Sequence, residues 1–431
     1  MMRILVIGNG AREHALAWRL SRDPGTSEVL TAPGNPGCAE VGRTTTADLA
    51  SPEALLALAG RERVDLTVVG PEAPLDRGVS DVFQQAGRPI VGPTRAGAAL
   101  ECSKAFAKAF MQAHGVPTAR FAVCDNLADA LEAVAGSRFG FPVVVKADGL
   151  AGGKGVVIAA DRAEAELAVR AAMVDQQFGA AGSRLVVEEC LSGPEVSFFV
   201  LADGEHAIPF GTAQDHKRIG DGDRGPNTGG MGAFATSPLV SAALESEVMA
   251  AVVQPVLAGM RAEGSPYRGF LYVSLMLTAS GPKVIEFNVR FGDPEAQVVL
   301  PLVEGSLADI LMAAATGKLA GRRALFSSDR AVGVVLASRG YPASSESGRV
   351  ITGLDRAQAV PGVVVFHAAT QLTDAGLVTA GGRVLTVVGR GPSFETAMAR
   401  AYAAVGAIHF DGMQYRKDIG QKALVPLTTN Q

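Results

Sequence analysis

At 431 residues the chain has room for two to four domains of about 100 to 200 residues each, which excludes a single small module. Its 48% hydrophobic and 19% charged content lies far from the low-hydrophobicity, high-charge composition of disordered chains. The net charge of −4, from 39 basic and 43 acidic residues, gives no basic excess for nucleic acid or an anionic membrane, so an anionic ligand has to be held locally.

The opening Met1-Met2-Arg3-Ile4-Leu5-Val6-Ile7-Gly8 reads as a strand running straight into a turn, without the apolar core and cleavage site of a secretion signal. Gly, Pro or a charge interrupts every apolar stretch before the ~20 residues needed to cross a bilayer, so a soluble, cytoplasmic protein is expected. Strands at 4–7, 29–30, 66–69 and 90–91 alternate with helices at 13–20, 52–59 and 79–86. That βαβ rhythm predicts a doubly wound parallel sheet.

A helix over 104–114 ends at Gly115-Val116-Pro117, and a domain boundary is placed near Cys102. Strands within 142–158 and at 184–189 flank a helix over 163–173, a small α+β unit. Residues 211–232 are glycine-rich and aperiodic, which predicts a long functional loop. Strands over 270–278 and 283–289 precede a helix from Ser306. Beyond Ser327-Ser328-Asp329, strands at 331–338, 363–368 and 383–388 and a helix at 394–405 make a third, smaller unit. The expected domains are therefore 1–102, 103–325 with a subdomain at about 120–190, and 326–431, of mixed α/β and α+β class. Cys38, Cys102, Cys124 and Cys190 lack C-x-x-C spacing, so no disulfide or zinc site is expected; Cys102 and Cys190 read as buried or beside an active site.

Gly8-Asn9-Gly10 begins the dinucleotide fingerprint G-x-G-x-x-G, but Glu13 takes the place of the third glycine. A carboxylate there opposes a pyrophosphate. The favoured reading is a turn whose N–H groups hold one phosphate or a small polar ligand; a nicotinamide or flavin site and a ligand-free turn are the alternatives.

Nine lysines stand against thirty arginines, so lysines in apolar or glycine-rich segments stand out. Lys146 closes the run Val143-Val144-Val145, and Lys154 lies in Gly149-Leu150-Ala151-Gly152-Gly153-Lys154-Gly155. A strand-borne lysine and a glycine loop carrying another form a clamp for a triphosphate, one fixed charge and one cover. It is not a Walker A loop, because Asp148 stands where Gly is required and Gly155 where Ser or Thr is. The strand Val186-Val187-Glu188-Glu189-Cys190-Leu191 runs into a linker whose amides can read an adenine edge, with Glu195 accepting ribose hydroxyls; an ordinary surface glutamate is the alternative.

In Val284-Ile285-Glu286-Phe287-Asn288-Val289-Arg290, period-2 alternation puts Glu286, Asn288 and Arg290 on one face and the apolar residues behind. Hard oxygen ligands there suit Mg²⁺, with Arg290 beside a transferred phosphoryl group; a solvated amphipathic strand is the alternative. Between 214 and 232 an EF-hand fails, since Gly232 holds the twelfth position from Asp221. Its small residues predict an anion-binding concavity, and His216 is read as a structural hydrogen-bonder. No Ser/His/Asp or Cys/His arrangement supplies a covalent nucleophile. An amine cannot attack a carboxylate at neutral pH, so this clamp would serve to make an acyl phosphate behind covers that exclude water.

The strings Ile7-Gly8-Asn9-Gly10-Ala11-Arg12-Glu13-His14-Ala15, Val69-Gly70-Pro71-Glu72-Ala73-Pro74-Leu75, Ser103-Lys104-Ala105-Phe106, Lys146-Ala147-Asp148-Gly149-Leu150, Gln214-Asp215-His216-Lys217-Arg218, Gly225-Pro226-Asn227-Thr228-Gly229-Gly230-Met231-Gly232 and Ile285-Glu286-Phe287-Asn288 through Pro294-Glu295 carry a resemblance. Nearly end to end, from Met2 to about Lys422, the chain resembles the phosphoribosylamine-glycine ligases, or glycinamide ribonucleotide synthetases, of the ATP-grasp superfamily.

The resemblance implies a central ATP-grasp fold between an N-terminal doubly wound parallel sheet and a small C-terminal β-rich domain. It implies that ATP, glycine and 5-phosphoribosylamine give glycinamide ribonucleotide, ADP and phosphate through a glycyl phosphate, a step of purine synthesis. Lys104, Lys146, Gly152, Gly153, Lys154 and Gly155 would hold the ATP phosphates, Glu188, Glu189 and Leu191 the adenine, and Glu195 the ribose. Mg²⁺ or Mn²⁺ would sit on Glu286 and Asn288. Gly8, Asn9, Gly10 and Glu13 would hold phosphoribosylamine, while Asp215, Asn227, Thr228, Gly229 and Arg290 meet glycine and the acyl phosphate. Asn227 would also reach ATP, and Arg290, Asp215, Lys146 and Lys154 would be catalytic.

Ser274 and Ala369 stand where the family usually has glycine, and residues 273–278 carry no second metal-binding acid. A monomer is expected, a weak homodimer being the alternative, with neither nucleic acid nor membrane as partner. Another ATP-grasp carboxylate–amine ligase, a non-catalytic ATP-binding module and an oxidoreductase built on Gly8-Asn9-Gly10 are the competing functions.

Overall fold

The computed structural model describes residues 1–135, 138–149 and 155–425. Five parallel strands form the first sheet, in the spatial order Arg43–Thr44, Thr26–Pro33, Met2–Gly8, Leu66–Val69, Ile90–Val91. The central strand is apolar and buried from Ile4 to Ile7 because helices cover both faces. Ile4 and Val6 pack with Ala15, Leu16 and Leu20 of helix Ala11–Leu20, while Leu5 and Ile7 pack with Leu55, Leu58 and Phe83 behind. Helix Pro52–Arg61 begins where the Ser51 side chain accepts from the Ala54 N–H and Pro52 occupies the first turn. The strand order reverses between Met2–Gly8 and Leu66–Val69, which opens a crevice at their carboxyl ends.

Four antiparallel strands, Phe121–Cys124, Leu185–Glu189, Val143–Ala147 and Val156–Ala159, make a second sheet. Helices Leu127–Ala135 and Arg162–Met173 cover it over a separate small core that includes Val143, Val145, Val169 and Val187. The third sheet has eight antiparallel strands in the order Gly281–Asn288, Arg268–Thr278, Glu195–Asp203, Ala207–Asp215, Gly232–Ala235, Arg330–Ala337, Arg383–Gly391, Val363–His367. Its C-terminal strands continue the central ones without a break, yet gather their own core around Val334, Val387, Ala401 and Phe410.

One expectation needs correction, and two others gain detail. Residues 211–232 are not a structureless loop: Ala207–Asp215 is a strand, and Arg218–Gly220 pairs with Arg224–Asn227 through a turn in which Gly222 and Asp223 adopt positive φ. The helical run Ala242–Ala262 is 21 residues long and apolar enough by composition to cross a membrane; Val248, Val252, Val256 and Met260 along it pack into the core. Of the cysteines, Cys38 and Cys124 are buried and Cys102 and Cys190 half-buried, and Cys190 lines the large cleft, as the reading beside an active site has it.

Candidate active site

A cleft of about 930 Å³ runs between the second sheet and the edge strand Gly281–Asn288 of the third. Lys104, Lys146, Gly155, Glu188, Glu189, Leu191, Glu195, Asp215, Asn227, Thr228, Gly229, Glu286, Asn288 and Arg290 all line it. Gly152, Gly153 and Lys154 lie outside the described residues. Five of the chain's nine lysines, Lys104, Lys108, Lys146, Lys217 and Lys422, converge on this one cleft.

At one end Glu188 is buried between two cations. Lys108 Nζ lies 2.5 Å from its Oε2, and Lys146 pairs with its Oε1. Lys146 also donates to the Ile285 carbonyl at 3.3 Å, which ties the second sheet to the edge strand. Burial pulls the Lys108 ammonium down to about 8, against the attraction of Glu188. Lys108 was missed in the sequence, although it stands four residues after Lys104 and so shares a helix face with it. Ser103 caps that helix by accepting from the Phe106 N–H, and Lys104 donates to the Gly149 carbonyl at 2.9 Å, where the glycine loop begins.

On the edge strand, Glu286 stands among Lys217, Lys146, Lys104 and Arg290. Burial would raise its carboxyl, but these cations together hold it below the ordinary carboxylate range. Among the described residues no hydrogen bond or ion pair closes on it. Arg290 is held on three sides: Nε to Glu72 at 3.2 Å, and Nη2 to Glu101 at 3.0 Å and to the Asn288 amide oxygen at 3.1 Å. The two acids respond differently. Glu101, with 8% of its side chain exposed, is driven up by burial, whereas Glu72, at 30%, is held down by Arg290 and Arg12.

No group of three His, Cys, Asp or Glu among the described residues forms a metal cage. One free carboxylate and one amide oxygen nevertheless fit a divalent ion that takes one or two protein oxygens and fills its shell with phosphate and water.

Deeper in, Asp215 and Glu295 are both raised, chiefly by burial and in part by each other. Glu295 accepts from Tyr272 Oη at 3.0 Å and from Ser197 Oγ at 3.4 Å, and Lys217 opposes the shift at both acids. Lys217 Nζ pairs with Glu195 Oε1 at 2.5 Å, and Ser274 Oγ donates to the same oxygen at 3.3 Å. The serine needs no glycine backbone: the non-glycine residues with positive φ among those described are Arg63, Gln176 and Asp223, so neither Ser274 nor Ala369 is strained.

The N-terminal turn is tied together through Glu13. Its Oε2 accepts from the Gly10 N–H at 2.6 Å and its Oε1 from Arg12 Nε at 2.6 Å. The carboxylate fills the crevice so closely that a Cβ at Gly70 would meet it at 2.0 Å. Arg12 is the residue of this turn that lines the cleft; Asn9 is exposed, Gly10 half-buried, and Gly8 and Glu13 buried.

Within the stretch at 214–232 where a concavity is expected, four successive N–H groups are already bonded. Thr228 N–H goes to Lys217 O, Gly229 N–H to Tyr341 Oη, Gly230 N–H to Thr228 Oγ1 and Met231 N–H to His216 O. His216 is not a hydrogen-bonder through its ring, since neither buried ring nitrogen has a partner. Burial, then Lys422 and Arg416, lower it to about 4, so it fills space as a neutral ring against Phe234. Asp293, Glu295, Glu72, Glu101, Arg12 and Arg383 line the cleft as well; Arg12, Glu72, Asp293 and Glu295 lie in the strings that carry the resemblance, without a role assigned to them, and Glu101 and Arg383 have no local sequence signal.

The Phosphoribosylglycinamide synthetase N domain matches residues 2–101, its ATP-grasp (A) domain residues 102–296 and its C domain residues 331–422. A phosphoribosylamine–glycine ligase of Xanthomonas axonopodis pv. citri is 52% identical over 428 residues, covering 98% of each chain. One of Ralstonia nicotianae is 49% identical over 424 residues, covering 98% of this chain and 100% of that one. The solved phosphoribosylamine–glycine ligase of Thermotoga maritima superposes with a TM-score of 0.85 at 33% identity, over 96% of this chain and 99% of that one. The chain, with its parallel N-terminal sheet, central antiparallel sheet and lysine-lined cleft, belongs to the phosphoribosylamine–glycine ligase family of ATP-grasp enzymes.

Proposed function

We propose that this chain joins glycine to 5-phosphoribosylamine at the expense of ATP, giving glycinamide ribonucleotide, ADP and phosphate through a glycyl phosphate. The observation that carries the reading is the single cleft in which lysines from three elements face the unpaired Glu286 carboxylate and the raised Asp215–Glu295 pair. Clustered cations of this kind suit a triphosphate. Lys104 and Lys146 hold its phosphates, with Gly155 and, outside the described residues, Gly152, Gly153 and Lys154 as the cover. The strand end at Glu188, Glu189 and Leu191 reads adenine, and the remaining oxygen of Glu195 takes the ribose.

Glu286 and Asn288 would hold Mg²⁺ or Mn²⁺, which when bound neutralises charge on the phosphate oxygens. Arg290, fixed by Glu72 and Glu101, orients the glycine carboxylate and the acyl phosphate made from it, as a preorganised cation should. Asp215 takes the glycine ammonium, with Asn227, Thr228 and Gly229 closing over it. Gly8, Asn9, Gly10 and Glu13 hold phosphoribosylamine, with Arg12, which donates to Glu13, facing the cleft beside them. A monomer in the cytoplasm is part of the same reading.

The test follows the oxygen atom. Glycine oxygen attacks the terminal phosphorus and leaves with it when the amine displaces phosphate, so carboxylate-labelled glycine should deliver one heavy oxygen to inorganic phosphate per turnover, with ADP as coproduct. Unlabelled phosphate, or AMP and pyrophosphate, would refute the acyl-phosphate route.

A further inference from the structure

Arg383 begins strand Arg383–Gly391 in the C-terminal part of the third sheet, yet its guanidinium reaches into the cleft. Nη1 donates to the Gly229 carbonyl and, at 2.9 Å, to the Asp293 carbonyl; Nη2 lies 3.1 Å from the Asp293 carboxylate. The Tyr341 hydroxyl, from the same part of the chain, accepts the Gly229 N–H at 3.0 Å. Both backbone groups of one exposed glycine are thus held by C-terminal side chains. There is little room for anything else: a Cβ on Gly229 would lie 3.3 Å from Arg383 Cζ and 3.4 Å from Tyr341 Oη. The adjoining Gly230 has φ +108°, and a Cβ there would strike Pro294 at 2.4 Å.

What is held matters to the chemistry. Thr228 hydrogen-bonds the Lys217 carbonyl through both its N–H and its hydroxyl, and Lys217 lies against Glu195 and Asp215. Asp293 is two residues before Glu295 and is also held by Gln297 at 2.7 Å. One guanidinium therefore joins the segment at 228–230 to the segment at 293–295, across the mouth of the cleft where an acyl phosphate would form.

We propose that Arg383, with Tyr341, is a positioning pair that keeps residues 228–230 shut against Asp293 and so protects the acyl phosphate from water; this rests on the ligase reading above. If the clasp loosens, water attacks the glycyl phosphate carbonyl and releases glycine and phosphate, so that ATP is hydrolysed without product. The planar fork is needed to bond two carbonyls and a carboxylate together, which a lysine cannot do.

The experiment measures ADP and glycinamide ribonucleotide in the same assay for wild type, Arg383→Gln, Arg383→Lys and Tyr341→Phe. Wild type should give one ADP per product. Arg383→Gln should lower the product rate by roughly 10²-fold, the scale of a misplaced reacting group, while ADP release falls far less. Arg383→Lys should stay uncoupled, and Tyr341→Phe, which loses one neutral hydrogen bond, should raise the ratio by roughly threefold. A merely structural role would lower both rates together. A ratio that stays at the wild-type value in Tyr341→Phe and in every Arg383 variant that folds would overturn the proposal; a raised ratio in Tyr341→Phe supports it even where the Arg383 variants do not fold. A wild type that makes no product from glycine and phosphoribosylamine would refute the ligase reading instead.

Discussion

The two ends of the cleft treat charge in opposite ways. At one end Lys108 and Lys146 are buried but both paired with the Glu188 carboxylate between them, with a hydroxyl and a carbonyl satisfying spare donors. At the other, Glu286 lies among cations without closing on any, and Asp215 and Glu295 are confined together, each making the other harder to ionise. The first arrangement holds two sheets at a fixed separation; the second stores unsatisfied charge that a ligand completes. Removing a charge should therefore cost stability at the paired end and activity at the unpaired end.

The largest effect is expected from Glu188→Ala. It leaves Lys108 and Lys146 buried side by side without a counter-charge, and breaking a buried pair from one side costs about 3–5 kcal/mol. Urea unfolding should show that loss as a lower midpoint with an unchanged slope. A loss below about 1 kcal/mol would mean that these lysines reach water and that the two ends do not differ.

Glu286→Gln comes next, and it should separate the two kinds of charge. Turnover is expected to fall ~10²-fold or more, the usual scale for losing a preorganised electrostatic contact. Thermal stability should fall only slightly, because no hydrogen bond or ion pair closes on Glu286 among the described residues, although the cations around it favour its charged form. ADP formation near the wild-type rate at ordinary Mg²⁺ would sink the metal assignment, and a large drop in melting temperature would place Glu286 among the paired charges.

The acid pair gives a pH signature of known sign. Folding raises Asp215 and Glu295 above their ordinary values, so the folded protein keeps a proton that the unfolded chain releases. Their contribution to stability is greatest below the ordinary carboxylate pKa and is lost as pH climbs through the raised values. Asp215→Asn lacks this loss, so its unfolding free energy should gain on wild type by at most about 1.4 kcal/mol per pH unit above the ordinary Asp range. A difference that is flat with pH would show that folding does not raise the Asp215 carboxyl.

These contrasts were unevenly legible in the sequence. The parallel sheet was readable because Ile4 to Ile7 is apolar on both faces, and Glu286, Asn288 and Arg290 were readable because a strand alternates. The paired end was half visible: Lys146 stood out at the close of a valine run, but Lys108 lies on a helix whose apolar face dominates its pattern. Residues 218–227 looked like a loop because Gly222, Asp223, Gly225 and Pro226 are turn formers, while the pairing of Arg218 with Asn227 is a contact no local pattern announces. Glu13 was seen, but not its bonds to Gly10 and Arg12, because these depend on how the turn closes over Gly70. Asp215 with Glu295, and Arg383 with Asp293, meet only through long-range folding, which is why the unpaired end emerges from the structure.

The smallest expected effect belongs to Ser274→Gly, which restores the glycine common in the family and asks how much Glu195 depends on its neighbours. Ser274 is 1% exposed and lies opposite Ser197 on one side and Glu286 on the other in the sheet register. Its hydroxyl reaches Glu195 Oε1 at 3.3 Å, a long bond, while Lys217 holds the same oxygen at 2.5 Å. Losing the hydroxyl therefore leaves Glu195 paired. Glycine within a strand carries its own conformational cost of roughly 0.5–1 kcal/mol, so stability should fall by about 1 kcal/mol or less, with the KM for ATP moving less than about threefold. A tenfold rise in that KM would mean that Lys217 alone does not fix Glu195, and that Ser274, not the ion pair, sets the position of the carboxylate that meets the nucleotide.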